Sequence, residues 1–211
     1  MEKTMSDNLD TITSNALEEW MRVRKMPLGP DPATMRALDE WMRVHQKKSI
    51  FNPSENYPIG KFNNLESIRL RWLVPRVFDF VPKKDAPFSF TRYNGQTITP
   101  RRMFSDGGSI PRMARMLVQL DPWEYTPAYF LHDWIFEVHH CNVVVGKPDI
   151  YTFDDATEVL MEAIHTMDYM KIAEISDIVF HVIKFAVSSF VAKSFWNTKV
   201  KVCTLPPDFE D

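Results

Sequence analysis

The feature that most constrains this chain is a change of hydrophobic period near residue 105. Between residues 65 and 105 apolar side chains alternate with polar ones. The segments are Ser67–Val74, Val77–Val81 and Phe88–Tyr93. Period two places alternate side chains on one face of a strand. Asn94-Gly95 is a tight-turn pair, and Gln96–Pro100 follows as the return strand of a hairpin. Pro75, Pro82, Pro87 and Pro100 cut these segments, which suits edges and strand ends. From about residue 110 onward the spacing becomes helical. A short helix or turn is expected over Pro111–Leu120. Thr126-Pro127 starts a second helix, and Thr152 caps a third from Phe153 to about Met167, with Asp154 and Asp155 at its positive end. A last helix is expected from Tyr169 to Trp196. Strands followed by helices predict an α+β fold, with a small antiparallel sheet and packed helices.

A repeat stands in front of this unit. Ala16-Leu17-Glu18-Glu19-Trp20-Met21-Arg22-Val23 returns as Ala37-Leu38-Asp39-Glu40-Trp41-Met42-Arg43-Val44. In each copy Leu, Trp and Met fall at i, i+3 and i+4, one apolar stripe on a helix. Pro27-Leu28-Gly29-Pro30 forces a turn between them, so the chain is expected to begin with a duplicated helical hairpin over residues 1–48, frayed before residue 14. The stripes either pack on each other and the main domain or form a docking arm. In the second case Trp20, Met21, Trp41 and Met42 are the partner-binding residues. Residues 49–64, rich in Asn, Pro and Gly, read as a linker, 65–197 as the α+β domain and 198–211 as an extended tail.

Bulk properties narrow the function classes. The chain has 211 residues and a formal net charge of -3, so it can bury a core and is not a dedicated nucleic-acid binder. Cys141 and Cys203 form neither a disulfide framework nor a metal spacing, and reduced thiols in a cytosolic setting are expected. No signal peptide and no membrane span is read.

The chemistry-bearing residues concentrate in two places. Asp106-Gly107-Gly108-Ser109 is a polar glycine turn, able to hold Ca²⁺ or another divalent metal through oxygens, or to be a plain turn. His132-Asp133 is set into an apolar helix. Here His132 is either a satisfied core residue or a general base for water, steadied by Asp133 or by Asp154 of the facing helix. His139-His140-Cys141 carries metal-capable atoms without a zinc spacing.

Together, Phe104-Ser105-Asp106-Gly107-Gly108-Ser109-Ile110-Pro111-Arg112 and Ala128-Tyr129-Phe130-Leu131-His132-Asp133-Trp134-Ile135-Phe136 resemble the phage and prophage domain-of-unknown-function family 1353. Its pattern is Asp-Gly-Ala-Ser-(Ile/Val)-Pro, then Ala-x-x-x-His-Asp-x-(Leu/Ile)-Tyr, then a helix with Ala-Asp. The resemblance spans about residues 65–197 and implies a phage origin. It also suggests a layout similar to secreted phospholipases A2, with His132 as base and Asp106, Gly107, Gly108 and Asp133 around a metal. This chain departs from the pattern at three places: Gly108 for Ala, Phe136 for Tyr and Thr157 for Asp. The departures weaken catalysis, so the resemblance implies a virion or assembly component, in the virion or the bacterial host cytoplasm. Its arm would bind another phage protein or a second copy, and a metal-assisted hydrolase is the alternative.

Overall fold

The computed structural model describes residues 3–24, 36, 40, 57–74, 77–106 and 124–205. Among them are five α-helices and six short strands. The elements are α1 (Lys3–Arg24), β1 (Lys61–Asn63), a 3-10 turn (Leu65–Ser67), β2 (Leu70–Val74), β3 (Val77–Phe80), β4 (Ser89–Thr91), β5 (Thr97–Ile98) and β6 (Met103–Ser105). Then come α2 (Thr126–Val145), α3 (Phe153–Tyr169), α4 (Asp177–Val187) and α5 (Phe190–Trp196). The expected α+β class is what the chain adopts.

Instead of one sheet there are two, each three-stranded and antiparallel, with orders β1-β4-β5 and β2-β3-β6. In the first, Phe90 pairs with Phe62 on one side and Ile98 on the other. Gly95, at φ 88°, supplies the left-handed residue that the hairpin turn requires. In the second sheet, β3 is central, with Asp79 opposite Arg71 and Phe104. The sheets meet the helices at a continuous core that includes Phe62, Phe80, Phe88, Phe90, Phe130 and Phe180.

The supposed linker contains β1. Phe62 is buried, and the Gly60 N–H donates to Thr166 Oγ1 of α3 at 2.9 Å. A methyl group on Gly60 would lie 2.4 Å from Phe90 Cζ and 2.7 Å from the Thr91 carbonyl oxygen, so only glycine lets the chain pass here. The last helix is also not continuous. Lys171 turns into the left-handed region at φ 58°, and Ser176 and Ser189 each cap a new helix. The expected capping of α3 by Thr152 is present as a reciprocal capping box with Asp155.

Helix α1 starts at Lys3, because no glycine or proline interrupts the sequence before Arg24. Its stripe of Ala16, Leu17, Trp20 and Met21 packs against Leu73, Val77 and Phe104 of the β2-β3-β6 sheet. Trp20 is 4% exposed and Met21 is partly buried, so neither is a free anchor for a partner; their apolar surface is used within the chain. Trp41 and Met42, the second stripe, and the helix expected over Pro111–Leu120 lie outside the described residues. Over its described residues, 198–205, the tail does not trail away: Leu205 is buried in the core, and the segment runs across α1 and α2, while residues 206–211 lie outside the described residues.

Candidate functional site

Helix α2 is the centre of the molecule. Nearly every side chain from Ala128 to Asn142 is buried, including the ionisable Asp133, Glu137, His139 and His140. Asp133, Glu137 and Cys141 follow at i, i+4 and i+8 and therefore share one stripe. A buried carboxylate requires a partner. The partner comes from α1. Arg24 Nη2 lies 3.2 Å from Glu137 Oε1, and Nη1 lies 3.8 Å from Asp133 Oδ1 and 3.7 Å from Asp106 Oδ1. The guanidinium also sits over the Trp20 ring at 4.4 Å and faces Phe195 at 5.2 Å. Ser105 Oγ donates to Asp133 Oδ2 at 2.7 Å. The Trp20 indole N–H donates to Glu137 Oε1 at 3.0 Å, and Thr204 Oγ1 donates to Oε2.

This arrangement gathers three carboxylates around one cation. Burial, reinforced by Asp106 and Glu137 and opposed by Arg24 and Ser105, raises the Asp133 carboxyl to about 7. The expected metal ligands Asp106 and Asp133 are thus together, but the charge between them is a guanidinium of the chain itself. A divalent ion placed there would face that positive charge. Among the described residues no group of three His, Cys, Asp or Glu side chains is placed to hold a metal, and Gly107 and Gly108 lie outside those residues.

His132 does not join an acid. Its Nε2 is buried with no hydrogen-bond partner among the described residues, and the ring lies against Phe136 at 4.7 Å. Burial, together with the nearby positive Arg24, lowers its pKa to about 3. A neutral imidazole with so weak an affinity for protons is a poor general base at neutral pH. Asp154 is exposed in the first turn of α3 and is no orienting partner. The cause is vertical offset. His132 stands thirteen residues before the end of α2, roughly 20 Å along the axis at 1.5 Å per residue, whereas Asp154 follows directly after the connecting loop.

Of the three positions at which the chain departs from the expected pattern, Phe136 and Thr157 are among the described residues and Gly108 is not. Phe136 stacks on Phe195 at 5.6 Å and meets Trp196 edge-on at 4.9 Å, where a phenol hydroxyl would be surrounded by rings. Thr157 is buried, and its hydroxyl has no partner among the described residues. His139 and His140 face partners within the chain. His139 stacks on Trp196 at 3.8 Å and bridges Asp149 to the Trp196 carbonyl, and His140 Nε2 lies 3.2 Å from the Phe195 carbonyl.

Three things escaped the sequence reading. Glu137 was signalled by its place one turn after Asp133 in an apolar helix. Arg24 had no signal, since an arginine ending a surface helix is ordinary. Cys141 and Cys203 form a disulfide, so the expectation of reduced thiols is overturned. The fold brings them together across a separation of 62 residues.

No single described helix is long and apolar enough to cross a membrane. The pair α4 and α5 passes by length and composition only, bent by 45°. No family model, curated protein or solved structure matches the chain.

Proposed function

We propose that this chain is a non-catalytic virion or assembly component of phage origin, whose His-Asp element has become a structural joint. The observation that carries this reading is Arg24. It fills the place between Asp106 and Asp133 that the hydrolase layout assigns to a metal, and it leaves His132 neutral and without an acidic partner. The Cys141–Cys203 disulfide supports the virion rather than the reducing host cytoplasm as the working location. With Trp20 and Met21 committed to the intramolecular interface, partner contact with another phage protein or a second copy falls to the second stripe, at Trp41 and Met42.

The test is sedimentation of particles from a culture producing the phage that carries this sequence. The chain is expected in the virion band at constant stoichiometry. A Trp41→Ala/Met42→Ala variant is expected to stay folded yet leave that band. Recovery of the wild-type chain only from the soluble fraction would overturn the assembly reading. The same preparation, incubated with phosphatidylcholine vesicles and calcium, is expected to release no fatty acid. Turnover that disappears in His132→Leu would establish the hydrolase instead.

A further inference from the structure

The disulfide, the tail and α1 form one mechanical series. Cys141 lies on the Asp133–Glu137 stripe of α2 and holds Cys203 of the tail. On either side of Cys203 the tail grips α1 and its seat. The Lys201 N–H donates to Glu19 Oε1 at 2.6 Å, and the Lys199 carbonyl accepts from Arg22 Nη2 at 3.5 Å. Thr204 donates to the same Glu137 carboxylate that receives Trp20 and Arg24. A cavity of about 10 Å³, room for one water, lies between the three segments and is lined by Trp20, Arg24, Glu137, Cys141, Val202 and Thr204. Besides the disulfide, the tail meets α1 and Glu137 through three hydrogen bonds, to Arg22, Glu19 and Glu137, with Leu205 anchored in the core beyond.

We propose that the Cys141–Cys203 bond is a redox-sensitive strap that decides whether α1 stays seated and Arg24 stays among the buried carboxylates. In the oxidised chain the tail is pinned at Cys203, and its hydrogen bonds to Glu19 and Glu137 close over α1. A dithiol reductant transfers two electrons and two protons. The sulfur–sulfur bond breaks, two cysteine thiols form, and the reductant closes its own disulfide. The tail is then anchored at Leu205 but no longer pinned at Cys203, its hold on Glu19 loosens, and α1 lifts away with Arg24. α1 is seated on the smaller of the two apolar clusters, with Trp20 against Val77 and Phe104, apart from the main core, and such a satellite unit opens at lower free energy than the rest, so α1 leaves while the remainder stays folded.

The test uses the full chain, oxidised, reduced with a dithiol, and as Cys203→Ser. Alkylation followed by intact mass counts the free thiols, and timed trypsin digestion reads cleavage after Arg22 and Arg24. Cleavage at these two bonds is expected to speed up about tenfold in the reduced chain and in Cys203→Ser, with both keeping a cooperative thermal transition. Cleavage within twofold of the oxidised rate, with two thiols counted or in Cys203→Ser, overturns the strap. Loss of the cooperative transition also overturns it, because the disulfide is then a staple of the whole fold.

Discussion

Arg24 and Glu137 are 113 residues apart in sequence and 3.2 Å apart in space, and their ion pair is buried between α1 and α2. Such a pair contributes less than its Coulomb attraction suggests, since both groups lose water, but removing one partner leaves an uncompensated charge. Arg24→Met is therefore expected to destabilise the chain by about 3–5 kcal/mol, as measured by urea unfolding. Adding Glu137→Gln to that variant should recover part of the loss. Equal stability of the wild type and Arg24→Met would mean that the carboxylates find another cation.

Opposing proton equilibria meet at the same place. Folding raises Asp133 to about 7 and lowers His132 to about 3. Unfolded Asp and His titrate near 3.9 and 6.5 respectively. Between about pH 4 and 6.5 the folded chain holds one extra proton on Asp133, and the unfolded chain one extra on His132, so the two contributions to the pH slope cancel. Single substitutions expose each one. His132→Leu should lose stability as pH rises from about 4 to 7, because the unfolded state has given up the Asp133 proton while the folded state still holds it. Asp133→Asn should lose stability as pH falls below about 6.5, because only the unfolded state gains the His132 proton. Each slope approaches about 1.4 kcal/mol per pH unit. Urea midpoints collected across this window check both signs, and flat profiles in the two variants would refute the assignment.

Gly60 is held between β4 and α3. Gly60→Ala places a methyl against Phe90 and the backbone of Thr91, at 2.4 and 2.7 Å. Phe90 is fully buried and cannot swing aside cheaply. The expected cost is about 1–3 kcal/mol, read as a lowered melting temperature. A neutral result would show that β1 can slide relative to β4.

Trp20 separates a packing role from a docking one. Its indole fills the space between α1 and Phe104, with ring centroids 6.3 Å apart, and caps Glu137. Trp20→Ala should cost about 3–5 kcal/mol, the range for truncating a large core aromatic. A docking residue would instead lose binding at unchanged stability, and that outcome would restore the arm in its original form.

The strands and helices were legible wherever local chemistry decides. Asn94-Gly95, Thr126-Pro127 and Thr152 act within four residues of themselves, and each stands where its turn or cap was expected. What stayed hidden depends on distant partners. Lys61–Asn63 becomes a strand only because Ser89–Thr91 offers it an edge, and no period is visible in three residues. Residues 169–196 keep a helical stripe throughout, while the break comes from the left-handed turn at Lys171 and the serine caps. At the site, His132, Asp133 and Asp106 were found by residue type. The cation beside them was not legible, because it comes from Arg24, in a helix that the repeat marked as a separate arm.

Glu137 also sets an order in time. Its carboxylate takes hydrogen bonds from Trp20, 117 residues earlier, and from Thr204, 67 residues later. Contacts so distant form late, because the intervening chain must first be ordered. As the polypeptide leaves the ribosome, α1 is made early but has no seat until α2 exists, and its seat is not closed until residue 204 has emerged. Among the described elements the first helix to be synthesised is thus the last to be fastened, and for most of its synthesis this protein carries the Trp20 stripe uncovered.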